Sequence, residues 1–515
     1  MKFPNPLMDR RRFLLASAAT AALPTLTSIA RAAQTTTTAT LKLHNNEPGP
    51  RIPDNFIGLS YETNELTNPP FFSLENTGLI EKFRTLSPNG VLRIGGNTSD
   101  IGYWKPTPST PAPHIQVRGT GNGEPTSALA YSITPEAIHN LRAFLDRTGW
   151  TCIYGINLGT NTPGRAAEEA TYVAKVLGFT HDKSTHGKLE YFQLGNEPDL
   201  FKTHLRDPKT WSPELYMDEW LDEANAIRAA VPNARFGLPD TAGSPEWYAA
   251  IVTRLLTLSA PPDVAALTHH YYIGGPPSNP QMTIDYILSP NPKVPQLAHD
   301  IRAAAARLSA GEHRTIPYRM TEGNTCYRGG KPGVSDVFAA SLWAADYFLY
   351  LASQGYAGVN LHGGTGQYVG NSLGGHLPGD DIVTAAHGDP TKHPHPYYTP
   401  IAHIGDDYVL EPVAQGMLFA GHFAGATSFP IDFNPGPVNA TAYAATLPTG
   451  QRVVAIINKD AHQSLNIDLP NYRQGPTLTA PALDSTQVRL AEPSGNHELS
   501  TVPPSTAVLL YDARP

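Results

Sequence analysis

Between residues 56 and 364 short apolar runs alternate with amphipathic helical patterns, and there are eight such runs. They fall at Phe56–Tyr61, Val91–Ile94, Cys152–Leu158, Tyr191–Leu194, Arg235–Leu238, Ala266–Tyr271, Tyr318–Thr321 and Gly358–Leu361. A strand followed by a helix returns to the next strand in parallel, because a crossover needs the length that a hairpin does not. Eight repeats of that unit read as a closed (β/α)8 barrel with insertions. One of the intervening helices opens at Thr134-Pro135-Glu136. Thr134 can cap it, Pro135 suits its first turn, and Ile138, Leu141, Phe144 and Leu145 follow at helical spacing. Others run about Pro163–Leu177, Pro213–Ala230, Pro245–Leu258, Ala298–Leu308 and Asp336–Ser353.

Beyond the eighth strand lies a segment from Gly363 to about Leu410, rich in Gly, Pro, His and Asp; loops of that length are usually functional or disordered. A helix from about Pro412 to Phe423 would close the barrel. From Ser428 the texture changes to short alternating runs, Ala442–Thr446, Arg452–Ile457, Ser464–Asp468 and Ala507–Tyr511, separated by turn residues, which reads as a β-sandwich. An N-terminal run, Thr40–Leu43, is expected to join that sandwich. The organisation expected is therefore a leader over 1–32, an N-terminal strand segment over 33–50, the barrel over 51–424 and the sandwich over 425–515. With 49 Pro, 44 Gly and only 16% charged residues the chain is neither coiled coil nor disordered.

The leader rests on Arg10, Arg11 and Arg12, which precede an apolar stretch from Phe13 to Ile29 and a small-residue motif, Ala30-Arg31-Ala32. It resembles a bacterial twin-arginine export signal, so a periplasmic or extracellular location is expected. The stretch is too short for a membrane span and contains Pro24, and no later segment could span one. Without residues 1–32 the net charge moves from −8 to −12, with 32 Lys and Arg against 44 Asp and Glu. That balance argues against a nucleic-acid partner, and with no later spanning segment no membrane association is expected after cleavage. Cys152 and Cys326 are too few for a disulfide scaffold. The doubled His269-His270 has no third ligand at recognisable spacing, so no metal or other cofactor is expected.

In a barrel of this kind chemistry sits at the C-terminal strand ends. Glu197 ends the fourth strand in Gly195-Asn196-Glu197-Pro198, and Glu322 ends the seventh in Thr321-Glu322-Gly323-Asn324. Strands four and seven face each other across the mouth. Two carboxyl groups there suit acetal cleavage, in which one protonates the leaving oxygen and the other attacks the anomeric carbon. Arg93 stands out because a charged residue within an apolar strand needs a buried partner.

These residues resemble glycoside hydrolase family 79, the β-glucuronidase and heparanase family, over nearly the whole of residues 33–515. Asn196-Glu197 is similar to the signature of the wider clan. Leu92-Arg93-Ile94-Gly95-Gly96 resembles the family's second strand, His269-His270-Tyr271-Tyr272 its sixth, and Gly364-Thr365-Gly366-Gln367-Tyr368 the segment after its eighth. The resemblance implies an acid/base role for Glu197 and a nucleophilic role for Glu322, with Asn196 on the sugar 2-hydroxyl, Tyr271 beside the nucleophile and Arg93 holding it from below. Glu62 falls where the family has a hydroxyl-contacting Asp, and Asn97 where heparanase has Thr. For the C6 carboxylate of a glucuronide it implies Tyr327, the backbone amides of Gly329 and Gly330, and Tyr368.

The function implied is a secreted retaining β-glucuronidase acting from chain ends on glucuronic-acid-containing oligo- or polysaccharides. A heparanase-like endo-acting enzyme would want basic clusters flanking the cleft, and no basic run follows the leader. A catalytically silent carbohydrate-binding protein would be expected to lack one of the two carboxylates.

Overall fold

A computed structural model describes residues 36–118, 125–184, 186–364, 396–493, 495 and 497–513. The leader and Tyr368 lie outside them. Eight parallel strands close into a barrel: β1 Ile57–Glu62, β2 Val91–Gly95, β3 Thr151–Ile156, β4 Leu189–Leu194, β5 Arg235–Thr241, β6 Asp263–Gly274, β7 Tyr318–Cys326 and β8 Val359–His362. They pair in sequence order, and β8 returns to β1 through Val359 opposite Ile57.

Among the described residues eight longer helices follow the strands in turn: α1 Thr77–Leu86, α2 Pro135–Thr148, α3 Pro163–Leu177, α4 Pro213–Ala230, α5 Glu246–Leu256, α6 Lys293–Glu312, α7 Phe338–Ser353 and α8 Pro412–Gly421. Three of them start alike. Thr134, Thr162 and Ser212 each accept a hydrogen bond from the third helical N–H, with proline in the first turn. The cap satisfies an orphan donor, and proline loses nothing where its missing N–H would have had no partner. α1, which the sequence pattern did not single out, starts with the Asn76 side chain accepting from Leu79 N–H.

The C-terminal region is a six-stranded sheet in the order Thr427–Ser428, Ala440–Thr446, Arg452–Asn458, Thr506–Asp512, Tyr472–Thr479, Arg489–Ala491. Its strands alternate, sending successive residues to opposite faces. Val453, Ala455 and Ile457, with Ala507 and Leu509, join the barrel's own core, while Val454, Ile456, Val508 and Leu510 form a second core. The sheet is thus glued to the barrel by one face. Thr40–Leu43 pairs antiparallel with Ile431–Asn434, and Thr36–Thr38 pairs parallel with Ser464–Asn466, so the N-terminal strands do enter the β-rich region. Asp346 of α7 accepts from Thr441, Tyr443 and the Lys459 ammonium across the same seam. Among the described residues no helix is long and apolar enough to cross a membrane.

Candidate active site

Arg93 points into the barrel from β2 and is 1% exposed. It survives there because its donors are all engaged. Nε bonds Gln193 Oε1 at 3.0 Å, Nη1 bonds Ser60 Oγ at 3.2 Å and Glu322 Oε2 at 2.5 Å, and Nη2 bonds Asn196 Oδ1 at 2.7 Å and Asp240 Oδ2 at 3.1 Å. A rigid five-donor fork suits this job better than a lysine point charge. It also ties together residues from β1, β2, β4, β5 and β7.

Glu322 sits within β7, which runs on to Cys326. Glu197 lies beyond the end of β4 in left-handed backbone, φ 48°, with its N–H donating to the Asp240 carbonyl at 3.0 Å. Asp100 secures this loop, accepting from the N–H groups of Leu158, Gly159 and Asn196 at 2.8–3.0 Å. An oxygen of Glu197, a ring nitrogen of His270 and an oxygen of Glu322 lie within 4.8 Å of one another.

The two carboxyls are biased in opposite directions. Burial pushes Glu197 up, and the neighbouring Glu322 charge adds to that, against opposition from His270. Burial acts on Glu322 too, but His362, His270, Arg93 and the Tyr272 hydroxyl outweigh it and bring it down to about 2. One carboxyl is held toward the acid form and its neighbour as the anion.

His270 mediates between them. Its Nδ1 donates to Glu197 Oε1 at 3.1 Å and its Nε2 faces Asp240 Oδ1 at 3.4 Å. Burial opposes a charge on the ring, yet Asp240, Glu322 and Glu197 more than compensate and raise it to about 10. Three ligand-type atoms so close could suit an ion, but a ring held between Glu197 and the anionic Asp240 keeps its protons and offers no lone pair.

Several expected residues fall elsewhere. Tyr272, not Tyr271, donates to Glu322 Oε1, at 2.9 Å. Along β6, His270 and Tyr272 face the barrel interior while Tyr271 points outward and stacks on Tyr347, ring centroids 6.5 Å apart. Period-two alternation puts neighbours on opposite faces, so a reading off by one residue loses the contact. Glu62 is 1% exposed and turned to the chain itself: Oε1 accepts from Asn97 N–H at 3.1 Å, and Oε2 from Thr98 N–H at 2.8 Å and the Thr98 hydroxyl. Gly96, φ 76°, lies so close that a Cβ there would come 2.3 Å from the Glu62 carboxyl carbon. Glu62 therefore positions the Asn97 loop.

Asn97 accepts from Asn196 Nδ2 at 3.0 Å, which sets the two amides side by side at the mouth. Gly330 donates its N–H to the Cys326 carbonyl at 3.1 Å, so that amide is spent on the turn and not on an anion. The Gly329 carbonyl accepts from Tyr398 N–H at 3.3 Å. Tyr327 is 38% exposed, its ring edge-on to Tyr272 with centroids 6.3 Å apart, which puts it at the rim. Asp240, His362 and Asp100 were not reached by sequence reasoning, and His270 and Tyr272 entered it only as members of the sixth-strand motif without a site role.

No family model matches the chain. It is 28% identical over 313 residues to a protein of Aspergillus niger named Beta-glucuronidase, covering 58% of this chain and 55% of that one. It is 26% identical over 307 residues to a Beta-glucuronidase of Neurospora crassa, covering 53% and 50%. The chain spans about half the length of the curated relatives it matches. Among solved structures it resembles a 4-O-α-L-rhamnosyl-β-D-glucuronidase of Fusarium oxysporum, with TM-score 0.60, 15% identity, and coverage of 91% of this chain and 99% of that one. It likewise resembles a family 51 arabinofuranosidase of Xanthomonas axonopodis, with TM-score 0.61, 16% identity, and coverage of 92% and 99%. At these identities the structural likeness speaks for the fold.

Proposed function

We propose that this chain is an exported, exo-acting retaining β-D-glucuronidase that removes terminal glucuronic acid from glycans. The observation that carries the reading is the approach of Glu197 and Glu322 to within 4.8 Å, with opposite protonation bias. That spacing suits double displacement, for which carboxyl groups stand about 5 Å apart, and leaves no room for the water that inversion needs between them.

In the first step Glu322 attacks the anomeric carbon, the bond to the leaving oxygen breaks, and the proton of Glu197 goes to that oxygen. In the second step Glu197 takes a proton from water, the water oxygen bonds the anomeric carbon, and the bond to Glu322 breaks. Asn196, held by Arg93 and Asn97, presents its amide to a sugar hydroxyl whose hydrogen bond strengthens at the transition state. Tyr327 at the rim is assigned to the sugar's carboxylate. The shared name of the two sequence relatives supports glucuronide as the substrate class.

The test is a panel of nitrophenyl β-glycosides: glucuronide, glucoside, galactoside and xyloside. Glucuronide should be cleaved fastest and release the monosaccharide. Preference for another sugar would overturn the substrate assignment, and no cleavage of any would overturn the enzyme reading.

A further inference from the structure

A chain of hydrogen bonds and one ion-pair contact beneath the mouth links the two carboxyls by a second route. It runs from Glu197 to His270, from His270 to Asp240, from Asp240 to Arg93 and from Arg93 to Glu322, with contacts of 3.1, 3.4, 3.1 and 2.5 Å. Asp240 is its centre: 1% exposed, in left-handed backbone at φ 57°, with one oxygen toward His270 and the Thr321 hydroxyl and the other toward Arg93. Arg93 and His270 thus share one buried counter-ion whose side chain touches neither catalytic carboxyl.

We propose that Asp240 is a positioning residue that keeps His270 cationic against Glu197, and that it thereby serves the second step of the reaction, in which Glu197 must give up its acid role and act as a base. This rests on the roles assigned above to Glu197 and Glu322. While Glu322 is an anion, its charge favours a protonated Glu197. Once Glu322 is bound covalently to the sugar that charge is gone, and the adjacent imidazolium favours the Glu197 carboxylate, ready to accept a proton from water.

His270 also meets the charge of Glu322 from β7 and of Asp199 beyond Glu197, with His269 beside it on its own strand. Beyond Glu322 stand His362 and Glu62, 3.6 Å apart. Of these, Asp240 alone contacts both His270 and Arg93 within 3.5 Å.

The test uses Asp240→Asn and His270→Asn in the full chain with an activated aryl β-glucuronide. Both should slow the second step selectively. The glycosyl-enzyme then accumulates, aryl release shows a pre-steady-state burst, and kcat and KM fall together by about 10-fold or more. The alkaline limb of the kcat/KM profile should rise by about one pH unit, since Glu197 loses the neighbouring cation that lowers it. Loss of kcat/KM with no burst and unmoved limbs would overturn the proposal.

A measurement that needs no turnover stands beside these. In 15N-histidine NMR of the wild type, the His270 ring should stay protonated above pH 8, and in Asp240→Asn it should lose its proton at lower pH. A neutral His270 at pH 7 in the wild type would overturn the proposal even if neither variant folds. Failure of the wild type on every aryl glycoside would instead strike the enzyme reading, leaving this NMR result to decide the charge arrangement.

Discussion

The barrel mouth and the layer where α3 and α4 pack on the barrel both bury carboxyl groups, with opposite consequences. At the mouth Glu322 and Asp240 meet Arg93 and His270, and both are held below the usual carboxylate range despite burial. In the helix layer Glu169 and Glu223 are each 2% exposed, and among the described residues neither has a cation in contact: Glu169 takes the Tyr154 hydroxyl, at 2.8 Å, and Glu223 Oε1 meets no donor. Burial pushes Glu169 up to about 7 and Glu223 well above its ordinary value. The difference teaches that burial alone makes a carboxyl a neutral structural group, and that an arranged cation is needed to make it a nucleophile.

The hardest way to break the paired side is at the two carboxyls. Glu322→Gln should abolish cleavage of all glucuronides, by at least about 10⁴-fold in kcat. Glu197→Gln should lose about 10²–10⁴-fold on substrates with poor leaving groups and far less on an activated aryl glucuronide, which needs little protonation. Equal losses on both substrates would remove Glu197 from the acid role.

Removing the cation is the next test. Arg93→Met should destabilise the fold by about 3–5 kcal/mol in chemical denaturation, because Glu322 and Asp240 would be left buried and uncompensated. A variant as stable as the wild type would mean that the mouth does not depend on that pairing.

Glu169→Gln sharpens the contrast from the other side. In the folded chain Glu169 keeps its proton to about pH 7, whereas an unfolded Glu loses it near pH 4.3. The native state therefore binds more protons across that window, and its stability falls as pH rises from about 4.3 through 7. The glutamine has no proton to lose, so the variant should gain on the order of 3 kcal/mol relative to wild type above pH 7 and little at pH 4. Thermal unfolding at both pH values checks this; an unchanged difference between them would contradict it.

A smaller effect separates the two tyrosines of β6. Tyr272→Phe should lower kcat about 10-fold, the worth of one hydrogen bond to a charged group, while Tyr271→Phe should stay within about 2-fold. The reverse ranking would put the wrong face of β6 toward the mouth.

The tyrosine pair also shows why the sequence was legible only in part. The barrel could be read because eight apolar runs and their capped helices repeat a unit that few folds accommodate, and Glu197 and Glu322 stood out as carboxylates at strand ends. The face of β6 could not be read. His269-His270-Tyr271-Tyr272 doubles each residue type, so each face receives one histidine and one tyrosine, and a strand buried on both sides shows no polar alternation to choose between them. Asp240 was hidden for a related reason: Pro239-Asp240-Thr241 has the composition of a turn, yet the chain stays in β5 through Thr241. At Gly329-Gly330 the glycines promised close approach to an anion, but a turn uses the Gly330 amide first.

The central claim is that Glu197 and Glu322 act as an acid/base and nucleophile pair, and the stereochemistry of hydrolysis tests it most directly. Proton NMR of the reaction on an aryl β-glucuronide, recorded before mutarotation, should show β-glucuronic acid as the first product, because two displacements at one carbon restore its configuration. α-Glucuronic acid appearing first would mean a single displacement by water, and would contradict the account.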